Sequence, residues 1–212
     1  MIKKIKKYTD IKVLLSVLLA VSLTACSSTD EDEDEEILVA ELIEISEQFE
    51  ADSVWETSVG DGVDDYFSRI KPYVAYNKVF SASREGMAVA LDASTGDTVW
   101  SVDLSDINGE RGFFDDAKPA LIAGGPVAGV KKVFFGTENG ELYALDADTG
   151  ELAWQGKVKG EILARPAIDS GVIVVNTASG ILKAFNAITG EEMWQVDQDV
   201  PPLTLRGISN PT

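Results

Sequence analysis

The stretch Tyr143-Ala-Leu-Asp-Ala-Asp-Thr-Gly-Glu-Leu-Ala-Trp154 occurs in three versions along this 212-residue chain. The other two are Val89-Ala-Leu-Asp-Ala-Ser-Thr-Gly-Asp-Thr-Val-Trp100 and Lys183-Ala-Phe-Asn-Ala-Ile-Thr-Gly-Glu-Glu-Met-Trp194. A self-similar unit that recurs about every 40 to 50 residues is typical of a propeller or a solenoid. This repeat therefore carries more weight for the fold than any local strand prediction.

Each repeat predicts short β-strands joined by tight turns. In the second copy the β-rich run 132–137 precedes a turn at Asn139-Gly140, and 141–146 alternates before the turn at Thr149-Gly150. Glycine supplies the positive φ angles that such turns require. Four strands in about 40 residues match one propeller blade, whereas helical repeats would not tolerate this density of glycine and β-branched residues. We expect an all-β chain with blades at roughly 70–105, 119–158 and 164–198, and the start of another at 203–212.

The glycines and tryptophans of the repeat are predicted to be structural. A large flat ring at the end of each unit suits the space between neighbouring blades better than a ligand, because it buries much apolar area there. The glycines permit the turns that precede the last strand of each unit. These structural residues are Gly96, Gly150, Gly190, Trp100, Trp154 and Trp194.

The acidic residues beside these turns allow a second interpretation. Asp92, Asp146 and Asp148 could belong to calcium-binding loops. Their regular position just before a Thr-Gly turn favours turn chemistry instead, because Asp and Asn side chains bond the backbone of such turns. In the third copy Asn186 and Ile188 occupy the matching positions. We therefore predict no metal site.

The spacing between the first two repeats is longer than that between the second and third, and the extra residues fall in 103–119. Insertions in repeat proteins map to loops on one face, often a binding face. Phe113-Phe114 within this acidic loop could be a contact point for a partner, or could pack back onto the blades.

Residues 1–25 predict a lipoprotein signal peptide. The segment 1–12 holds five lysines and one acidic residue, and 13–23 is an almost wholly apolar run. This run is shorter than the roughly 20 residues of a membrane span. Cys26, the only cysteine, follows directly in Leu23-Thr-Ala-Cys26, which resembles the lipobox of bacterial lipoproteins. The alternative is an ordinary secretory signal with a chance cysteine.

The resemblance to lipoproteins implies a covalent lipid on Cys26 and no other cofactor. Because Ser27 rather than aspartate follows the cysteine, it also implies anchoring at the periplasmic face of the outer membrane. Residues 26–37 include seven consecutive acidic residues, which repel one another and predict a flexible, solvated tether. The partial propeller is expected to occupy 38–212.

Charge and composition argue against several functions. The net charge of −18 becomes −22 without the five lysines and one aspartate of 1–25, so nucleic acid and anionic headgroups are disfavoured as partners. The chain has no histidine, which removes the commonest general base and the commonest zinc ligand. It also has no Gly-x-Ser-x-Gly elbow and no glycine-rich phosphate loop after a strand. We therefore predict that it is not an enzyme.

The Ala-x-Asp-Ala-x-Thr-Gly-x-x-x-Trp pattern resembles the repeat of quinoprotein (PQQ-type) β-propellers. Within that superfamily the chain from about Leu38 to Thr212 resembles the BamB family, the lipoprotein scaffolds of the outer-membrane β-barrel assembly machine. The resemblance implies an eight-bladed ring, of which this chain would supply about three to four blades as a fragment. The stretches that carry it are 54–62 (Val-Trp-Glu-Thr-Ser-Val-Gly-Asp-Gly), 66–69, 72–80, 119–125 (Pro-Ala-Leu-Ile-Ala-Gly-Gly) and 203–207 (Leu-Thr-Leu-Arg-Gly).

The resemblance also implies a function and a docking surface. It predicts a non-catalytic, lipid-anchored scaffold that binds the periplasmic domains of the central barrel subunit, with Leu203, Leu205 and Arg206 in the interface. Aliphatic anchors beside an arginine suit an interface hot spot. The alternative is that the two leucines only start the next blade and that Arg206 is a surface charge. Arg69 and Arg165, each shortly before a proline, are expected to share a structural role.

Three further hypotheses follow from the propeller. Strand edges could pair with nascent outer-membrane proteins by β-augmentation. In an open arc, blade faces and strand edges would be exposed, and the segment around Trp55, which in a complete ring would supply the outer strand closing the last blade, would have no such partner. The competing functions are a PQQ-dependent dehydrogenase-like fragment, which would need a quinone and calcium, and a generic periplasmic binding propeller.

Overall fold

The computed structural model describes residues 49–63, 65–66, 68–107, 118–198 and 210–211. Contacts divide the chain into two units, 1–50 and 51–212, and the fold below belongs to the second. Within the described residues no helix is long and apolar enough to cross a membrane.

Three four-stranded antiparallel sheets follow one another along the chain, and in each the spatial order of strands follows the sequence. The first sheet comprises β1 (Tyr73–Ala75), β2 (Lys78–Ala82), β3 (Met87–Asp92) and β4 (Thr98–Asp103), followed by a 3₁₀ turn at Leu104–Asp106. The second comprises β5 (Ile122–Gly129), β6 (Lys132–Thr137), β7 (Glu141–Asp146) and β8 (Leu152–Lys157). The third comprises β9 (Ala167–Asp169), β10 (Val172–Asn176), β11 (Ile181–Asn186) and β12 (Glu192–Asp197). The prediction of an all-β chain built from four-stranded blades is confirmed.

The same register recurs where the last two strands of each sheet pair. A small alanine lies opposite each tryptophan, and a register shift follows directly after that alanine on the third strand. The extra residue of a bulge bends the strand and increases its twist. The pairs are Ala90 with Trp100, Ala144 with Trp154, and Ala184 with Trp194.

The core lies between the sheets, in two layers on either side of the second one. Phe135 belongs to the layer shared with the first sheet, and Phe134 to the layer shared with the third. Successive side chains of a strand point to opposite faces, so adjacent phenylalanines serve both layers. Val133, Phe134 and Phe135 are all fully buried. This explains why β6 reads as a continuous apolar run rather than as an alternating one.

Candidate functional site

The interblade joint is the recurring contact that holds the sheets together: a tryptophan of one sheet lies over the Thr-Gly turn of the next. Trp100 Nε1 donates to the carbonyl oxygen of Ala147 at 3.2 Å, and Trp154 Nε1 donates to that of Ala187 at 3.1 Å. A Cβ at Gly150 would lie 2.8 Å from Cδ2 of Trp100, and one at Gly190 would lie 2.7 Å from Cδ2 of Trp154. Only glycine permits rings this close.

Trp55 makes the same joint without belonging to a strand. Its Nε1 donates to the carbonyl oxygen of Ala93 at 3.1 Å, and a Cβ at Gly96 would lie 2.7 Å from its Cδ2. Residues 51–59 form no strand. Sequence reasoning associated this segment with closing a sheet and did not predict the joint. The available signal was its separation from Trp100 along the chain, which falls within the spacing range of the repeat.

The outward face of the third sheet, which carries Trp194, is more exposed than the joints between sheets. Trp194 is 43% exposed, whereas Trp100 is 8% exposed. All six residues of β12 are exposed, and Ile188, Met193 and Val196 add apolar surface beside the tryptophan. Among the described residues, this is an apolar sheet face that no neighbouring sheet covers.

The residue that opens each Thr-Gly turn bonds the backbone of that turn. Asp92 Oδ1 accepts from the backbone N–H groups of residues 94 and 95, and Asp146 Oδ1 accepts from those of residues 148 and 149. Asn186 Oδ1 does the same with residues 188 and 189. The N–H bonds from Asp148 and Thr149 hold the pKa of the Asp146 carboxyl below its usual range. In the described part of the chain, no group of acidic or cysteine side chains is arranged to hold a metal ion.

Ion pairs reinforce the contact between the first and second sheets. Arg84 donates through Nε and Nη2 to the two carboxylate oxygens of Glu138, each at 3.0 Å. The Arg84 guanidinium also lies 3.9 Å from the ring centroid of Tyr66. Lys78 on β2 pairs with Asp148 at 2.7 Å, and this hydrogen bond lowers the pKa of the Asp148 carboxyl.

The linkers that enter the blades meet at a cleft of about 200 Å³. Its lining includes Arg69 and Arg165, the two arginines that the sequence suggested as counterparts, together with Lys71. Arg165 Nη2 donates to the carbonyl oxygen of Lys71 at 3.1 Å, and its backbone N–H donates to Asn210 Oδ1 at 3.1 Å. Sequence reasoning missed Lys71, although it precedes a proline as Arg165 does.

The other predicted site residues lie outside the described residues. These are Cys26, the tether 26–37, the pair Phe113-Phe114, and Leu203, Leu205 and Arg206. Their roles therefore stay predictions.

Four-stranded antiparallel sheets joined by tryptophan-on-glycine contacts define a β-propeller of the quinoprotein, PQQ-type class. The structure of BamB from Moraxella catarrhalis superposes with a TM-score of 0.55 at 24% identity, covering 66% of this chain and 38% of that chain. A family model described as "Outer membrane protein assembly factor BamB" matches residues 47–110 and 108–212. The chain belongs to this family.

Curated relatives agree. The outer membrane protein assembly factor BamB of Yersinia pestis is 38% identical over 94% of this chain and 50% of its own length. The protein of the same name from Shewanella oneidensis is 41% identical over 92% of this chain and 49% of its own, and that from Escherichia coli K12 is 37% identical over 95% and 50%. The chain thus spans about half the length of the curated relatives it matches.

Proposed function

We propose that this chain is a non-catalytic scaffold in the assembly of outer-membrane proteins. The observation that carries the proposal is the match of residues 47–212 to a family named for outer membrane protein assembly. The fold supports it, because the interblade joints fix the sheets against one another and leave loops and strand edges as a rigid surface for partners. We assign no cofactor to the described blades.

The proposed partner is the central barrel subunit of the assembly machine, bound through its periplasmic domains. Leu203, Leu205 and Arg206 would form the interface, with the leucines as buried anchors and the arginine as a charged contact. Anchoring through a lipid on Cys26 would hold the scaffold at the periplasmic face of the outer membrane. The lipid on Cys26 and the interface at Leu203, Leu205 and Arg206 would then each bring the chain to the assembly machine.

The test is copurification. The full chain, tagged and expressed as a lipoprotein, is extracted from outer membranes in mild detergent and probed for the barrel subunit. We expect Arg206→Glu to abolish copurification, because losing a hot-spot side chain typically weakens binding by about 2 kcal/mol or more. The matched control is Lys131→Glu, since the Lys131 side chain is 77% exposed and a rim charge costs little. Equal copurification of wild type and Arg206→Glu would contradict the proposed interface.

The lipid is tested separately. Incorporation of labelled palmitate into wild type but not into Cys26→Ser is expected. Residues 27–212 fused to a cleavable secretory signal, which leaves no apolar leader behind, should be released into the soluble periplasmic fraction. Membrane retention of this fusion after a carbonate wash would argue against the lipid as the anchor.

A further contact with nascent outer-membrane proteins is proposed through strand edges. β12 is the outer edge strand of the third sheet. An extended client segment could add to such an edge through backbone hydrogen bonds. Photo-crosslinkers placed at positions 193 and 195 are expected to capture unfolded barrel peptides, and crosslinking no higher than from Asp61, which is exposed in a turn, would refute this contact.

A further inference from the structure

The linkers into the blades share a feature that the repeat itself does not contain. A basic residue stands directly before proline in three of them, and each of these prolines closely precedes the first strand of its blade. The residue before a proline is biased towards extended backbone, so these linkers share a backbone conformation at the same position. The pairs are Lys71-Pro72, Lys118-Pro119 and Arg165-Pro166, and Asn210-Pro211 is a fourth, uncharged version.

The cleft described above brings three of these four pre-proline residues together. Lys71, Arg165 and Asn210 line it, along with Arg69, Leu163 and Ala164. Among the described residues, the lining therefore contains three cations and no carboxylate, in a chain whose net charge is −18.

Arg165 is held in place for binding. One guanidinium nitrogen donates to the carbonyl oxygen of Lys71, and the guanidinium carbon lies 5.4 Å from the ring centroid of Tyr73. A guanidinium has five N–H donors, so one bond to a carbonyl leaves most of the fork available. A side chain fixed by neighbouring contacts loses little conformational entropy when a ligand arrives.

Carboxylates of the described residues do not neutralise Lys71 or Arg165. Salt bridges of the described residues involve other cations, among them Lys78, Arg84 and Lys157. Without an internal anion, the side chains of Lys71 and Arg165 are stabilised by a counter-charge from outside the fold.

We propose that this cleft binds carboxylate side chains of an acidic segment of a partner polypeptide. The arginine fork matches a carboxylate in two parallel hydrogen bonds, and Lys71, which lines the same cleft, supplies a second positive charge. At about 200 Å³ the cleft is smaller than the usual cofactor pocket of about 300–1,000 Å³, and it suits one or two side chains. The proposal rests on the described residues of the cleft and not on the interface proposed at Leu203, Leu205 and Arg206.

The chemistry of the whole surface favours a short acidic segment over a larger polyanion. The field of a strongly acidic protein repels extended polyanions such as nucleic acid or an anionic membrane. At physiological salt, exposed charges are screened beyond about 8 Å. A peptide carboxylate inserted into the cleft therefore responds mainly to the local cations.

The test is fluorescence anisotropy with the purified full chain and a labelled octa-glutamate peptide, with octa-glutamine as the neutral probe. We expect the wild-type chain to bind octa-glutamate and not octa-glutamine. The dissociation constant for octa-glutamate should rise about tenfold or more in Arg165→Gln and in Lys71→Gln. Lys131→Gln makes the same charge change at an exposed position and should alter the dissociation constant less than about twofold. Arg165→Lys, which keeps the charge and loses the fork, should fall between wild type and Arg165→Gln.

Circular dichroism and urea unfolding of each variant establish that the fold is intact. If Arg165→Gln does not fold, the binding test compares wild type with Lys71→Gln and Arg165→Lys instead. The proposal is overturned by equal binding of the two peptides, by equal losses in Lys71→Gln and Lys131→Gln, or by no octa-glutamate binding at low salt. If inorganic phosphate displaces the labelled octa-glutamate at the same concentration as unlabelled octa-glutamate does, the cleft is a small-anion site and the proposed peptide occupant is overturned.

Discussion

The ring of Trp55 covers Gly96 so closely that a Cβ atom at this glycine would lie 2.7 Å from Cδ2 of the tryptophan. This is the arrangement of Trp100 over Gly150 and of Trp154 over Gly190, although Trp55 comes from a segment without a strand. Among the described residues, the Gly96 turn of the first sheet is therefore covered by Trp55 of the strand-free segment 51–59 rather than by a tryptophan of another sheet. The consequence is that Trp55 should matter to stability as much as a tryptophan within the repeat.

Replacing the tryptophans one at a time tests this equivalence. Trp100→Ala should lower the free energy of unfolding by about 3–5 kcal/mol, because it empties a buried interblade joint. Trp55→Ala should lower it by a large fraction of that amount. Trp194→Ala is the control and should cost less than about 1 kcal/mol, since its ring is 43% exposed. Urea denaturation measures all three, and a Trp55→Ala value equal to the Trp194→Ala value would contradict the equivalence.

The turn glycines offer a matched pair of substitutions. Gly150 and Gly171 have φ angles of 78° and 80°, so alanine is equally strained at both. A Cβ at Gly171 meets nothing within 4 Å, whereas one at Gly150 meets the Trp100 ring at 2.8 Å. Gly171→Ala should therefore cost about 1–2 kcal/mol from backbone strain alone. Gly150→Ala should cost about 1–3 kcal/mol more, because the ring must move. Thermal and urea unfolding give both values, and equal losses would show that the ring is not held.

The carboxylate of Asp146 should make its turn sensitive to acid. Its pKa is lower in the folded chain than in the unfolded one, because backbone N–H groups of Asp148 and Thr149 stabilise the anion. The stabilisation is complete above the unfolded pKa and is lost as pH falls through the folded pKa. Asp146→Asn should therefore lower the free energy of unfolding at pH 7, where the contribution of the carboxylate is complete, and should make stability depend less on pH below about pH 4. Asn186 already fills this role with an amide, so Asn186→Asp should add acid sensitivity instead. The midpoints of urea unfolding, measured for both variants between pH 2.5 and 7, test these two expectations.

The Arg84–Glu138 pair should contribute more than a surface ion pair. Its two side chains are only 15% and 23% exposed and meet in two hydrogen bonds. A double-mutant cycle with Arg84→Gln and Glu138→Gln should give a coupling energy of about 1–2 kcal/mol. The cycle with Lys131→Gln and Asp148→Asn is the comparison, because those side chains are 77% and 55% exposed and should couple by under about 0.5 kcal/mol. Similar coupling energies in the two cycles would mean that the paired hydrogen bonds of the Arg84 guanidinium add no stability.

Strand positions could be predicted from the sequence because they depend on local alternation and turn residues. The runs 132–137 and 141–146 are β6 and β7 as predicted. The location of Trp100 and Trp154 between sheets also follows from the repeat. The Trp55 joint was missed because residues 51–59 form no strand and carry no Thr-Gly turn of the repeat, so only the separation of Trp55 from Trp100 along the chain indicated it. The basic cleft depends on linkers that meet only in three dimensions, although the recurring basic residue before proline was visible.

The interblade joint requires only one ring, one glycine turn and one carbonyl group, and each blade supplies both halves of it. The joint itself is therefore the same wherever it occurs in the series, whereas pairs such as Arg84–Glu138 distinguish one junction from another. A duplication or deletion of one whole unit in the gene would preserve the ring, the glycine turn and the carbonyl group at the new junction. The joint thus allows blade number to change in single steps during evolution, and the ion pairs and the loops between blades adapt afterwards.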